Sequence, residues 1–415
     1  MRREPGFGFI LVTLLIAVLG IGLIIPVLPN LVTQLSGGTP SNSAFVYGIF
    51  VAVYAAMQFL FSPLIGVLSD RFGRRPVLLV SVAGSAVDYL FLALAPQLWM
   101  LFIGRMISGV TAATLATANA YVADVTAPDQ RPKRFGIMGA IFGLGFVIGP
   151  LTGGILGEHS LRAPFYFAAA LAAVSFVYGL LVLPESLPPE NRSKTIIWSK
   201  ANPLVAVAAL RQYRGVIPVA AVLTMLNLAQ FSLHSVWVLY TAYRFGWGPR
   251  DVGLSLGFVG IMAAVVQGGL TGKVVKLIGE RSTVCVAALA SAMAFACYGL
   301  ATSGWMLYPA IVLGAIGGLV GPASQSLITR EVGKDNQGSA QGALTSLSSL
   351  CYVFAPLGAT WLFGHFSGSG AIRELPGIPF FVGSLLALVA LVIAIVLVKG
   401  HEARGFDGVE AKPEV

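Results

Sequence analysis

Charge is scarce in this sequence. Asp, Glu, Lys and Arg together make up 10% of 415 residues, against about 25% in an ordinary soluble domain, too few to solvate a globular surface. A soluble enzyme or binding module of this length is thereby excluded. Cysteine is scarcer still. Cys285, Cys297 and Cys351 are the three present; they lack the spacing of a disulfide framework or a metal site and lie in apolar runs, where small apolar filler is the expected role. Also missing are a nucleotide-binding loop, a catalytic triad, an HExxH pair and any Cys/His cluster. No metal and no cofactor is expected, catalysis is not expected, and with ATP set aside the proton gradient is left as the energy source.

What the chain has in quantity is apolar residues, 56% of the total, with a mean hydropathy of +0.84. They come in blocks such as Phe7 to Leu28 and Ala44 to Leu68, and several exceed the roughly 20 residues that cross the hydrocarbon of a bilayer. Gly, Pro and charge clusters delimit spans near 7–28, 44–68, 77–95, 97–123, 135–157 and 164–183, then near 216–243, 252–272, 282–302, 305–328, 340–364 and 378–398. The expected fold is an all-α membrane protein of twelve transmembrane helices in two six-helix bundles, residues 1–183 and 216–400. A cytoplasmic loop, 184–215, joins them, and a disordered cytoplasmic tail, 401–415, follows. Arg2 and Arg3 imitate the start of a signal peptide, but the run after them is too long and lacks a small-x-small cleavage site, so it is expected to remain as the first span.

The net charge of +9 is segregated, which argues against a nucleic-acid partner. Assigning alternate connections to opposite sides puts 21 Lys and Arg on one side and 4 on the other, with Arg105 inside a span. The rich side holds Arg2, Arg3, Arg71, Arg74, Arg75, Arg131, Lys133 and Arg134, five residues of the central loop (Arg192, Lys194, Lys200, Arg211, Arg214), and eight from Lys273 to Lys412. The poor side has Arg162, Arg244, Arg250 and Arg373. The positive-inside rule then places both termini in the cytoplasm, in an inner-membrane protein. The halves also repeat at an offset of 206: Gly73 falls on Gly279, Arg75 on Arg281, Trp99 on Trp305, Asp129 on Asp335 and Pro150 on Pro356.

Between spans two and three stands GVLSDRFGRRPVL. Gly66 permits close helix approach, Gly73 a tight turn, and Pro76 suits a first helical turn. Asp70, among Arg71, Arg74 and Arg75, is placed to pair across the ends of neighbouring helices. An ordinary basic loop is the plainer reading, but the Asp and two glycines sit at fixed places. In the second half Lys276 stands where Asp70 does, which predicts an asymmetric gate whose stronger lock is in the first half. Asp124, at the far end of span four, is placed to pair with the Arg71 to Arg75 cluster.

Arg105 lies about six residues inside span four, where an ionisable residue is costly and marks function unless it snorkels to the interface. Asp88 lies about 18 Å into span three, counted from Pro76 at 1.5 Å per residue. It reads either as a proton carrier or as a structural carboxylate paired with Arg105 or a tyrosine such as Tyr121. His234 in span seven reads as a second titratable site or as a packing residue. Span five carries Gly143, Gly145, Gly149, Pro150, Gly153, Gly154 and Gly157. This is either a tightly packed helix pair or a kinked pivot at Gly149-Pro150 that seals a vestibule. Tyr54, Gln58, Asn119, Asn227, Gln230, Gln267, Gln325 and Gln341 are candidates to line a central cavity. So sparse a polar lining suits a small amphipathic cargo.

The GVLSDRFGRRPVL string is similar to the signature loop of the major facilitator superfamily. The stretches GIGLIIPVLPNL, VYAAMQFLFSPLIGVLSDRFGRRPVLL, VDYLFLA, LWMLFIGRMISGVTAAT, FGLGFVIGPLTGGILGEHS and SVWVLYTAYRFGWG resemble the tetracycline/proton antiporters. The resemblance implies a drug efflux pump that exchanges its cargo for H⁺; a monomer is expected. It casts Asp70 and Arg74 as a gating pair, Arg105 as the buried basic residue and Asp88 as the span-three carboxylate. Three acidic or imidazole positions of that family fall on Ala17, Ala263 and Ser291, which puts tetracycline itself in question. A proton-coupled importer and an uncoupled facilitator would use the same scaffold.

Overall fold

The computed structural model describes residues 5–112, 114–127, 129–193, 208, 210–213, 215–332, 337–368 and 374–407. Arg2, Arg3, Lys194, Lys200, Arg214, Lys334, Asp335, Arg373 and Lys412 lie outside them. Among the described residues the structure is helical without strands, and 11 helices are long and apolar enough to cross a membrane. One of these, Pro249–Leu300, runs for 52 residues, about 78 Å at the helical rise and enough for two crossings. Gly279, at φ 79° and ψ 163°, breaks its helical path, so it comprises spans eight and nine and twelve spans result. The chain is a multi-pass membrane protein.

The first six spans are Pro5–Ile24, Pro40–Phe72, Arg74–Leu94, the interrupted pair Leu98–Val110 and Thr114–Val125, Arg131–His159 and Ala163–Val182. Spans seven to twelve are Ile217–Phe245, the two parts of 249–300, the interrupted pair Leu307–Gly317 and Val320–Glu331, Gln337–Phe366, and Ile378–Asp407. Thr39 caps span two by accepting the N–H of Asn42, and Pro40 opens the helix, so the span starts ahead of its apolar block. Several expectations are corrected. Spans four and ten are interrupted at Thr111–Ala112 and Gly318–Leu319 rather than continuous, within one residue of the repeat offset. Span eight contains a π-helical turn, Ala264–Leu270. The last helix continues to Asp407, so the residues from 401 to 407 are helical rather than disordered.

The chain divides into two compact units. Residues 1–205, 235–261 and 356–376 form the first, and 206–234, 262–355 and 377–415 the second. In the first unit span one packs on spans five and six, and span three on spans four and six. Its apolar core joins Phe9, Ile10, Leu14 and Val18 to Leu78, Tyr121, Val122 and Met138. In the second unit span nine packs on spans ten and twelve, which repeats the arrangement around span three. Alanines line that contact, Ala288 and Ala292 against Ala387, Ala390 and Ala394, because small residues let helices in lipid approach closely.

Candidate functional site

The turn between spans two and three is built around Gly73, whose φ of 106° lies in a region that side chains avoid. The turn sets Asp70 at the end of one helix and Arg74 at the start of the next. The Arg74 guanidinium donates to Asp70 Oδ1 at 2.6 Å and to Asp124 Oδ2 at 3.0 Å, with further bonds from Arg74 to Ser69 Oγ and from Ser186 Oγ to Asp124 Oδ2. Three charges predicted to gate therefore meet as one cluster of net charge −1.

Their neighbours do other things. Arg75 donates to the free carbonyl of Leu180 at the end of span six, 2.8 Å. Arg71 lies over the ring of Phe72 at 5.5 Å. Gly66 is exposed and a Cβ there would meet nothing within 4 Å, which corrects the expectation of a close helix approach at that glycine.

Glu185, not anticipated from the sequence, completes the turn. Its Oε1 accepts the backbone N–H of Arg74 at 2.8 Å and of Arg75 at 3.4 Å, and those of Ser186 and Leu187 at 3.0 and 3.1 Å. A carboxylate thus sits at the positive end of span three, where two arginines begin the helix and a counter-charge is favoured. A Cβ on Gly73 would lie 2.2 Å from Glu185 Oε2, so that glycine serves both the turn and the cap. The stretch beyond span six is held there as well, because Ser193 N–H donates to the Asp70 carbonyl at 2.9 Å. A single acidic residue behind Pro184 was the only sequence signal for this clamp.

Deeper in the same unit, Asp88 is fully buried. Arg105 reaches it with both arms of its guanidinium, Nε to Oδ1 at 3.2 Å and a terminal nitrogen to Oδ2. The helices come together there because residue 104 is glycine, where a Cβ would stand 2.9 Å from Asp88 Oδ1. The other face of Arg105 stacks on Tyr54 of span two, 5.5 Å from the ring centroid, a cation–π contact. Tyr121 is not a partner of Asp88; it donates to the Pro184 carbonyl at 3.0 Å. Nor does Arg105 snorkel, since only 11% of its side chain is exposed.

Elsewhere in the first unit, helices approach one another closely at glycines. Span five turns Gly145, Gly149 and Gly153 to Val18, Gly22 and Leu23 of span one. Its other face meets span eight, where a Cβ on Gly154 would lie 2.6 Å from the Pro249 carbonyl and 3.0 Å from Gly253 Cα. The helix runs through Pro150 without a break. Ser41 and Ser367 hydrogen-bond at 2.7 Å, Gly48 receives Thr360, and Arg250 faces Glu158 at 3.7 Å.

The expected cavity residues fall in both units. Tyr54 and Gln58 are half-buried and Asn119 exposed in the first; Asn227 and Gln341 are half-buried, and Gln230, Gln267 and Gln325 exposed, in the second. Asn227 donates to Ser348 at 2.8 Å, and Gln230 and His234 share a hydrogen bond at 3.0 Å one helical turn apart. His234 also meets Phe231 edge-on.

The profile of the Major Facilitator Superfamily matches residues 10–356 and 220–414. The chain is 39% identical over 394 residues to the class C tetracycline resistance protein of Escherichia coli, covering 94% of this chain and 96% of that one. It is 39% identical over 376 residues to the class G tetracycline resistance protein of Vibrio anguillarum, covering 90% and 93%. Among solved structures, the human organic anion transporter MFSD10 superposes with a TM-score of 0.69 at 24% identity over 95% of this chain and 100% of that one. A charged cluster on a glycine turn and a buried carboxylate–guanidinium pair, in a twelve-span chain so closely related to the tetracycline resistance proteins, mark a member of the Major Facilitator Superfamily that groups with them.

Proposed function

We propose that this protein is a secondary active transporter of the inner membrane that exports a small amphipathic compound in exchange for protons by alternating access, working as a monomer with both termini in the cytoplasm. The observation that carries the reading is the Asp88–Arg105 pair. Asp88 is fully buried, and its partner grips it through both carboxylate oxygens. Breaking such a pair from one side costs about 3–5 kcal/mol, since it strands the other charge. A proton taken up by Asp88 would therefore release Arg105, which already has the face of Tyr54 to rest on and can turn to an acceptor on the cargo. Cargo and proton would compete for the same pair, which is the essence of exchange. The Asp70–Arg74–Asp124 cluster is the proposed gate at the cytoplasmic end, and Gly149, Pro150 and Gly154 belong to the seam at the other end. Uptake into everted vesicles tests the reading: an imposed inward-acid gradient should drive accumulation of a cationic dye or drug from a broad panel, and collapse of the gradient should release it. Accumulation indifferent to the gradient would leave a facilitator, and accumulation with the reversed gradient alone an importer.

A further inference from the structure

The second half carries a gate cluster of inverted polarity. At the offset of 206 that relates the halves, Asp70 falls on Lys276, Arg74 on Glu280 and Asp124 on Arg330. Every charge of the first cluster is reversed. The Arg74–Asp124 pair survives the reversal. Arg330 donates to Glu280 Oε1 at 2.7 Å, where Arg74 meets Asp124 at 3.0 Å. Ser326 Oγ adds a bond to the same carboxylate oxygen at 3.0 Å, as Ser186 does to Asp124 in the first half. Gly279 precedes Glu280 with φ 79° and ψ 163°, as Gly73 precedes Arg74 with φ 106° and ψ 162°. The glutamate thus occupies the start of a helix, where its charge is favoured by the helix dipole. In the first half that role needs the separate carboxylate of Glu185.

An ion pair persists through inversion only if both partners change sign together. One change alone would set two like charges a few ångströms apart, which costs as much as the pair had contributed. The full reversal at three positions, on a turn whose backbone is unchanged, is hard to attribute to the drift of surface charges. Glu280 is also no surface residue, with 16% of its side chain exposed.

We infer that Glu280 and Arg330, steadied by Ser326, form a second gating latch that fixes the span-nine turn to the end of span ten and biases the conformational equilibrium of the transporter. They are positioning residues and touch no cargo. The asymmetry read from Lys276 is thus a difference of sign between two latches, in place of a strong lock and a weak one. This rests on the transport function proposed above, so its test must not need a known cargo.

The readout is the rate at which a membrane-impermeant maleimide labels a single cysteine at Gln34, with Cys285, Cys297 and Cys351 replaced by serine. Glu280→Gln and Arg330→Gln are each expected to shift the labelling rate about two- to fivefold in the same direction, the range open to one partly exposed ion pair. The swap Glu280→Arg with Arg330→Glu is expected to return it toward the parent rate. Unchanged labelling in both single variants, in protein that is folded by gel filtration in detergent, would overturn the latch. So would single variants that lose thermal stability without changing the labelling rate, since that is a structural pair only. Failure of the vesicle uptake experiment with normal labelling shifts would remove the cargo reading and leave the latch standing.

Discussion

Gly73 and Gly279, 206 positions apart, hold the same unusual backbone conformation, with ψ of 162° and 163° at positive φ. The duplication read from scattered identities is therefore preserved in dihedral angles where side chains have diverged completely in charge. Either glycine replaced by alanine should strain its turn by about 1–2 kcal/mol. Gly73→Ala carries the added clash with Glu185, so its transport should fall further than that of Gly279→Ala, as initial uptake rates in vesicles would reveal.

The first gate cluster should be intolerant of neutralisation. Asp70→Asn removes the negative charge that faces Arg74 at 2.6 Å and leaves Asp124 as the carboxylate that balances the guanidinium. Transport is expected to drop at least about tenfold, a change of about 1.4 kcal/mol in the balance of states, with the protein still present in the membrane. Normal transport by this variant would deny Asp70 a gating role.

Asp88→Asn should end proton-driven accumulation while leaving counterflow, in which cargo exchanges for cargo without a proton. Removing one partner of the buried pair should also lower thermal stability. The double variant Asp88→Asn with Arg105→Gln should regain much of that stability, because two neutral amides can satisfy one another, yet it should not regain coupling. Coupled transport in Asp88→Asn would move the proton site elsewhere, with His234 or Asp124 next to be tested.

The glycine seam between spans five and eight should not accept a side chain. Leucine at Gly154 would drive its Cβ to within 2.6 Å of the Pro249 carbonyl, which is main chain and cannot step aside. Gly154→Leu should arrest transport and raise the labelling of a cysteine at Ser41, now buried against Ser367. Labelling as slow as in the parent would mean that this seam does not open.

Tetracycline is expected to be a poor cargo despite the sequence identity to tetracycline resistance proteins. Ala17, Ala263 and Ser291 offer no charge to a metal chelate, which favours carboxylate or imidazole partners, and forgoing one charge-assisted hydrogen bond costs about 1.5–3 kcal/mol. Ser291 packs its hydroxyl against Gly317, within the protein itself. Susceptibility of a pump-deficient host expressing this chain decides the matter: a large rise in resistance that disappears with Asp88→Asn would overturn the expectation.

Much of the site was legible because charge is so scarce. Asp70, Arg74 and Asp124 had few possible partners, and a carboxylate and a guanidinium inside adjacent spans had to be weighed as a pair. Glu185 escaped because the helix start that it caps lies more than a hundred positions earlier and presents backbone N–H groups, which no side-chain pattern announces. The second latch is hidden in the sequence because its acid stands at Glu280, whereas the position that matches Asp70 is Lys276. The interruptions near Thr111 and Gly318, and the π-helical turn of span eight, are decided by packing. Thr111 sits in the space left by Gly84, a relation between two spans that hydropathy cannot carry.

Glu185 and Ser193 lie just past span six, yet both are tied to the turn between spans two and three. The coding sequence could be cut accordingly. Two polypeptides made separately, the first ending beyond Ser193 and the second beginning before Ile217, would each keep a whole set of six spans, and the first would keep its own helix cap. A cut a few codons earlier, between Val182 and Glu185, would hand that cap to the wrong fragment and leave two arginines facing the bare end of a helix.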